Sequence, residues 1–154
     1  MGFAFNRLNR LMTPTDKGRG DQIMVRLFFI ACGGAIGTLL RYIVSGLDYK
    51  FSGGVFPVST LIVNLSGSLL IGFFWGLFER LAISPTLRMF VFIGVLGGFT
   101  TFSTFSLANF NLIRDGELRL AAINILASNI FGLVCVFLGF GAARALINGL
   151  RGGV

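Results

Sequence analysis

The run Gly97-Gly98-Phe99-Thr100-Thr101-Phe102-Ser103-Thr104-Phe105-Ser106 gathers most of the groups in this chain that could do chemistry. It contains hydroxyls and aromatic rings and no charge. A hydroxyl can donate a hydrogen bond to an anion, a freed backbone carbonyl can hold a cation, and a Phe ring has a negative face and a positive edge. Two adjacent glycines are poor residues for a helix interior, each costing roughly 1 kcal/mol relative to Ala. The run interrupts an apolar segment otherwise long enough to cross a bilayer. In a membrane, interrupted backbone is tolerated only where it is buried in protein or lines a wet cavity. Residues 97–101 therefore read as a break that places carbonyls, hydroxyls and ring edges at mid-membrane depth, as an ion site or permeation path.

Other polar side chains lie inside apolar surroundings, where each needs a reason. Asn64, in Val63-Asn64-Leu65-Ser66-Gly67-Ser68, offers amide donors and an acceptor without charge. It reads either as a bond to a neighbouring helix or as a donor to a permeating species. Phe102, Phe105, Ser106 and Asn109 fall at i, i+3, i+4 and i+7, one helical face. Two rings presented edge-on favour an anion without a fixed charge, and the competing reading is core packing or lipid contact. Asn124, Ser128 and Gly132 form a stripe at i, i+4 and i+8, with Asn129 beside it, serving interhelical hydrogen bonds or a polar path. Arg41 near the end of the first apolar segment either snorkels to the interface or draws anions into a vestibule. Gly33 with Gly37, and Ser68 with Gly72 and Gly76, have the small-residue spacing of close helix packing and dimerisation.

The composition excludes several function classes. Of 154 residues, 55% are hydrophobic and only 12% charged, about half the charge of a typical soluble domain, so the chain reads as a membrane protein. There is no His, and Cys32 and Cys135 sit far apart in apolar runs, as buried thiols rather than metal ligands. No nucleophile–base pair or metal triad occurs, so the chain does not read as an enzyme. The carboxylates all lie in the N-terminal arm or the connections, which disfavours a proton-coupled antiporter. The net charge of +7 comes from cations scattered at segment ends, a juxtamembrane pattern rather than a nucleic-acid surface.

Four apolar segments must position these groups. They run over residues 25–47, 56–78, 87–113 (with the break at 97–101) and 120–147, within a membrane domain of residues 24–150. Each meets the roughly 20 residues that span hydrocarbon at about 1.5 Å per residue. The connections are short. Asp48-Tyr49-Lys50-Phe51-Ser52-Gly53-Gly54 and Ala82-Ile83-Ser84-Pro85 read as turns, and Pro57 sits in the first turn of the second helix. Residues 1–23, with Arg7, Arg10, Lys17 and Arg19, read as a disordered or surface-lying basic arm, with Met24 as an alternative start. Arg26, Arg80, Arg88, Arg144 and Arg151 fall on one side of the membrane and Arg41, Lys50, Arg114 and Arg119 on the other, almost no bias under the positive-inside rule. The four arm cations tip the count toward cytoplasmic termini; if they do not act during insertion, both orientations are open.

Together with Gly33-Gly34-Ala35-Ile36-Gly37, Arg41-Tyr42, Thr60-Leu61-Ile62-Val63-Asn64 and Gly67-Ser68, the Gly97 to Ser106 run resembles the Fluc (CrcB) family of fluoride channels. The resemblance covers about residues 28–140, and that run is its most specific part. It implies an all-α integral membrane protein with four transmembrane helices per subunit, the third broken, paired as an antiparallel, dual-topology homodimer. Two narrow pores would be lined by both subunits, exporting fluoride passively from the cytoplasm across the bacterial inner membrane and so lowering its toxicity. The resemblance also implies a structural Na⁺ on the dimer axis, held by the carbonyls of Gly97 and Thr100. By matching positions, Phe102 and Phe105 become pore phenylalanines, Asn64 the pore amide, and Ser128 a serine of the fourth helix's polar track; Ser106 joins the pore face and Arg41 the vestibule. Two positions depart from the family pattern: Asn124 stands where Tyr is frequent, and Ala108 where Glu often follows the Phe run.

The physical chemistry agrees with that implication. Fluoride is small and strongly hydrated, so a pore must replace its water with donors. Hydroxyls, an amide and ring edges do so without a mid-span Lys or Arg that would hold the ion too tightly to leave. Without the resemblance these residues specify a small-anion path and no particular halide. The runner-up is a small four-span dimeric exporter of drugs or organic cations, a class that calls for a membrane carboxylate. An assembly or scaffold subunit is a third class and has no need of a broken third span.

Overall fold

In the computed structural model of the chain, which describes residues 14–151, every element is helical. The elements are α1 (Pro14–Ser45), α2 (Leu47–Ser52), α3 (Val58–Phe78), α4 (Pro85–Met89), a π-helical stretch Phe90–Leu96, α5 (Gly97–Phe99), α6 (Phe102–Arg114) and α7 (Leu118–Arg151). Four stretches are long and apolar enough to cross a membrane: Gly20–Ser45, Val58–Phe78, Pro85–Arg114 and Leu118–Leu150. Their outer faces carry large apolar side chains such as Leu39, Ile43, Leu133 and Phe137, as expected where lipid rather than water is the solvent. At about 1.5 Å per residue the 34 residues of α7 reach about 50 Å, well beyond a hydrocarbon core of about 30 Å.

The elements begin and end where local chemistry says they should. The third span starts at Pro85, with Ser84 as N-cap accepting from the Leu87 amide at 3.2 Å. α6 ends in a Schellman motif: Gly116, at φ 84°, donates to the Ile113 carbonyl and Glu117 to that of Leu112. The segment Asp48 to Gly54 is not the simple turn its composition predicts. It forms the short helix α2, ended by Gly53 at φ 60°. The Asp48 carboxylate accepts from the Ser59 amide at 2.6 Å and the Ser59 hydroxyl at 2.7 Å. That carboxylate thus caps the start of the second span, where the N-terminal helix dipole favours negative charge. Pro57 occupies the residue just before α3 rather than its first turn.

α1 begins at Pro14, ahead of the expected start at residue 25, so the later part of the basic arm is helical; Pro at a first helical position gives up only an amide that would lack a partner anyway. The rest of the arm, residues 1–13, lies outside the described residues.

Packing follows the small residues. α3 lies along α7, and α1 lies along the π-helical stretch and α5. A Cβ on Gly37 would collide with the Val95 carbonyl, and one on Gly72 with the Val136 carbonyl. These are the close backbone approaches predicted from the spacing of Gly33 with Gly37 and of Gly72 with Gly76. Gly97 and Gly98 are a different matter from what propensity suggests: both are helical, Gly97 at φ −65°, ψ −36°. Gly98 is small because a Cβ there would stand 2.7 Å from the Gly34 carbonyl oxygen. The extended residues are Thr100 (φ −74°, ψ 157°) and Thr101 (φ −151°, ψ 125°).

Candidate functional site

The site is built around those two threonines. Thr101 is the N-cap of α6: its hydroxyl accepts from the Thr104 amide at 3.2 Å and lies 2.6 Å from the Thr104 hydroxyl. Its backbone is held from the second span. Asn64 Nδ2 donates to the Thr101 carbonyl at 3.0 Å, and the Thr101 amide donates to Asn64 Oδ1 at 2.9 Å. One neutral side chain thereby satisfies both backbone groups of a residue outside any helix. This is the arrangement interrupted backbone needs where water is scarce.

That arrangement decides which carbonyls lose their helical partners. In an unbroken helix the Thr101 amide would reach the Gly97 carbonyl, and the Thr104 amide the Thr100 carbonyl. Here the first goes to Asn64 and the second to the Thr101 hydroxyl. The Gly97 and Thr100 carbonyls thus lack the donors an unbroken helix would supply, as do those of Gly98 and Phe99, which receive no bond from the Phe102 and Ser103 amides. They are neutral oxygens on an uncharged stretch. Among the described residues no cluster of His, Cys, Asp and Glu could hold a metal ion by side chains.

Two open clefts meet at Thr101. One, about 360 Å³, is lined by Asn64, Ser68, Gly97, Thr100, Thr101 and Phe102 among others. A Cβ on Gly97 would meet nothing nearer than 3.6 Å, so within one subunit this glycine borders space. The other cleft, about 380 Å³, holds Arg41 with the hydroxyls of Ser59, Thr60, Thr101, Ser103 and Thr104. Arg41 is half-buried and is the one charged residue in either lining. That cleft sets a cation among hydroxyls, although the Ser59 hydroxyl is already given to the Asp48 carboxylate behind the lining.

The aromatic pair stands at the rim. Phe102 is 78% exposed and Phe105 half-buried; their ring centroids are 5.8 Å apart, tilted by 38°. Ser106 follows on the same helix and is exposed. One turn further, Asn109 is buried; it donates to the Phe105 carbonyl at 2.8 Å and accepts from Asn124 at 2.9 Å. Ser128, a turn beyond Asn124, has a buried hydroxyl oxygen with no partner.

Asn64, Gly97, Thr100 and Phe102 are therefore brought to one cleft. Arg41 belongs to the other, and Ser128 lines neither. The residue that sequence reasoning under-used is Thr101. Its signal was a hydroxyl immediately before an apolar-periodic helix, the ordinary mark of an N-cap.

Comparison with known proteins gives concordant results. The family described as "CrcB-like protein, Camphor Resistance (CrcB)" matches residues 28–140. A protein named "Fluoride-specific ion channel FluC" from Geobacter sp. (strain M21) is 49% identical over 124 residues, which cover 80% of this chain and 100% of the relative. A protein of the same name from Parabacteroides distasonis is 44% identical over 128 residues, 83% of this chain and 100% of the relative. Another from Opitutus terrae is 48% identical over 127 residues, covering 80% and 96%.

Proposed function

The chain belongs to the CrcB-like family, and on that premise we propose that it is a fluoride-selective ion channel of the bacterial inner membrane, exporting fluoride passively from the cytoplasm. The observation that carries the reading is the Thr100–Thr101 break tied to Asn64, with the exposed Phe102 and half-buried Phe105 directly after it and an arginine-bearing cleft beside it. Fluoride gathers in the Arg41 cleft. It exchanges water for hydroxyl donors and then moves past the ring edges of Phe102 and Phe105, the remaining Asn64 N–H, Ser106 and Ser128. Beyond the Arg41 entrance every donor on this route is neutral, which keeps the ion from binding too tightly to leave. The activity is conduction, and no covalent step is needed.

A fluoride electrode outside proteoliposomes loaded with equal fluoride and chloride provides the test. Rapid fluoride efflux with chloride retained is expected; equal loss of both ions, or of neither, would sink the reading. Gly97 and Thr100 would hold a structural Na⁺ by their carbonyls, which lack the helical amides of Thr101 and Thr104. Exhaustive replacement of Na⁺ by a large organic cation should therefore depress fluoride efflux slowly. Undiminished efflux once the ion is gone would remove Na⁺ from the account.

The channel is an antiparallel homodimer. One subunit leaves the Gly97 cleft open and Phe102 exposed, and outside the N-terminal arm its charges are nearly balanced between the two sides. With Cys32 and Cys135 replaced by Ala, cysteines introduced by Lys50→Cys and Arg151→Cys should each be labelled from both sides of the membrane. Each site labelled from one side only, on opposite sides, would mean a single orientation.

A further inference from the structure

Among the described residues, the buried side-chain polar atoms without a partner are Asn124 Oδ1 and Ser128 Oγ, one helical turn apart on α7. Asn124 is 0% exposed. Its orientation is fixed by a chain of bonds. Asn109 donates through Nδ2 to the Phe105 carbonyl, so Asn109 Oδ1 is turned to Asn124, which must answer with its own Nδ2. Turning over Asn109 would set its oxygen against the Phe105 carbonyl, and turning over Asn124 alone would set two amide oxygens face to face. The Asn124 carbonyl is therefore a committed acceptor at a depth where nothing in the subunit donates to it.

Fluoride cannot satisfy that atom, because an anion offers no proton and is repelled by a carbonyl oxygen. A divalent cation asks for roughly six oxygens, and these two are neutral. A water molecule meets both needs at once: it donates to Asn124 Oδ1 and accepts from the Ser128 hydroxyl, leaving one hydrogen to give. We propose that Asn124 and Ser128 hold a buried water, and that its free hydrogen is the donor fluoride meets at this level of α7. The second half of this inference rests on the channel reading; the water itself does not.

The test pairs a structure with a flux. A high-resolution structure of the assembled protein in lipid should show a water within hydrogen-bond distance of both atoms, and Ser128→Ala should remove it. Fluoride efflux from liposomes should fall about tenfold in Ser128→Ala, the loss of one donor to a charged group, and recover in Ser128→Thr. A donor of the second subunit on Asn124 Oδ1, an empty site, or a water that survives Ser128→Ala would overturn the binding site. Water lost with efflux unchanged would overturn its role in the path. A parent protein that binds the water yet passes no fluoride would refute the channel reading instead, so the two failures are distinct.

Discussion

Phe102→Ile and Phe105→Ile are each expected to lower fluoride efflux by on the order of thirtyfold, with assembly unchanged, if an anion at a desolvated ring edge gains the about 2 kcal/mol that a cation gains over a ring face. Ile keeps apolar bulk and removes the positive ring edge. The positions suit this comparison. Phe102 is 78% exposed within the subunit and Phe105 only half-buried, so neither substitution empties a packed core in one subunit. The rings are 5.8 Å apart and 38° from parallel, a spacing at which losing one also frees the other to turn. Efflux should therefore fall in both variants while size-exclusion elution matches the parent. Normal efflux in both would make these rings packing elements, and loss of the dimer in both would make them interface residues.

The four spans were legible because each is a long apolar run, and in a bilayer length and hydropathy leave a helix as almost the sole choice. Their packing faces were legible too, since Gly33, Gly37 and Gly72 mark close approaches that only small residues permit. What could not be read was which residues leave the helix. Propensity charges Gly97 and Gly98 roughly 1 kcal/mol each against helix, yet both are helical. At Gly98 the tight contact with Gly34 accounts for the glycine. The extended conformation falls instead on Thr100 and Thr101, whose type does not demand it. It is fixed by an amide 37 residues away in sequence, a distance over which local patterns carry no information. Asp48 repeats the lesson: its segment has turn composition, while its carboxylate has a partner on the next span at Ser59. Polar residues in apolar runs, Asn64 and Asn124 among them, were visible as groups in need of partners. Their partners came only with the fold.

The same bonds make Asn64 the residue with the most to lose. Asn64→Leu keeps the volume and strips both hydrogen bonds from Thr101, stranding an amide and a carbonyl at membrane depth. Each stranded group costs about 1–3 kcal/mol, so the break is expected to lose roughly 2–6 kcal/mol of support. The Thr101 amide would then be free to return to the Gly97 carbonyl, re-forming helix across the break. Fluoride efflux should be abolished and the thermal denaturation midpoint of the assembled protein should drop. Thr101→Val is the control. It deletes the N-cap hydroxyl, worth about 1 kcal/mol, and leaves both Asn64 bonds in place, so its midpoint should fall less. If Asn64→Leu abolishes efflux with the midpoint unmoved, the amide acts on the ion alone and does not support the break. If efflux persists, a path that bypasses the Thr100–Thr101 break must carry the ion. A variant lowered in both quantities, more than Thr101→Val in each, is the outcome the geometry calls for, because one side chain both holds the backbone open and faces the cleft it opens.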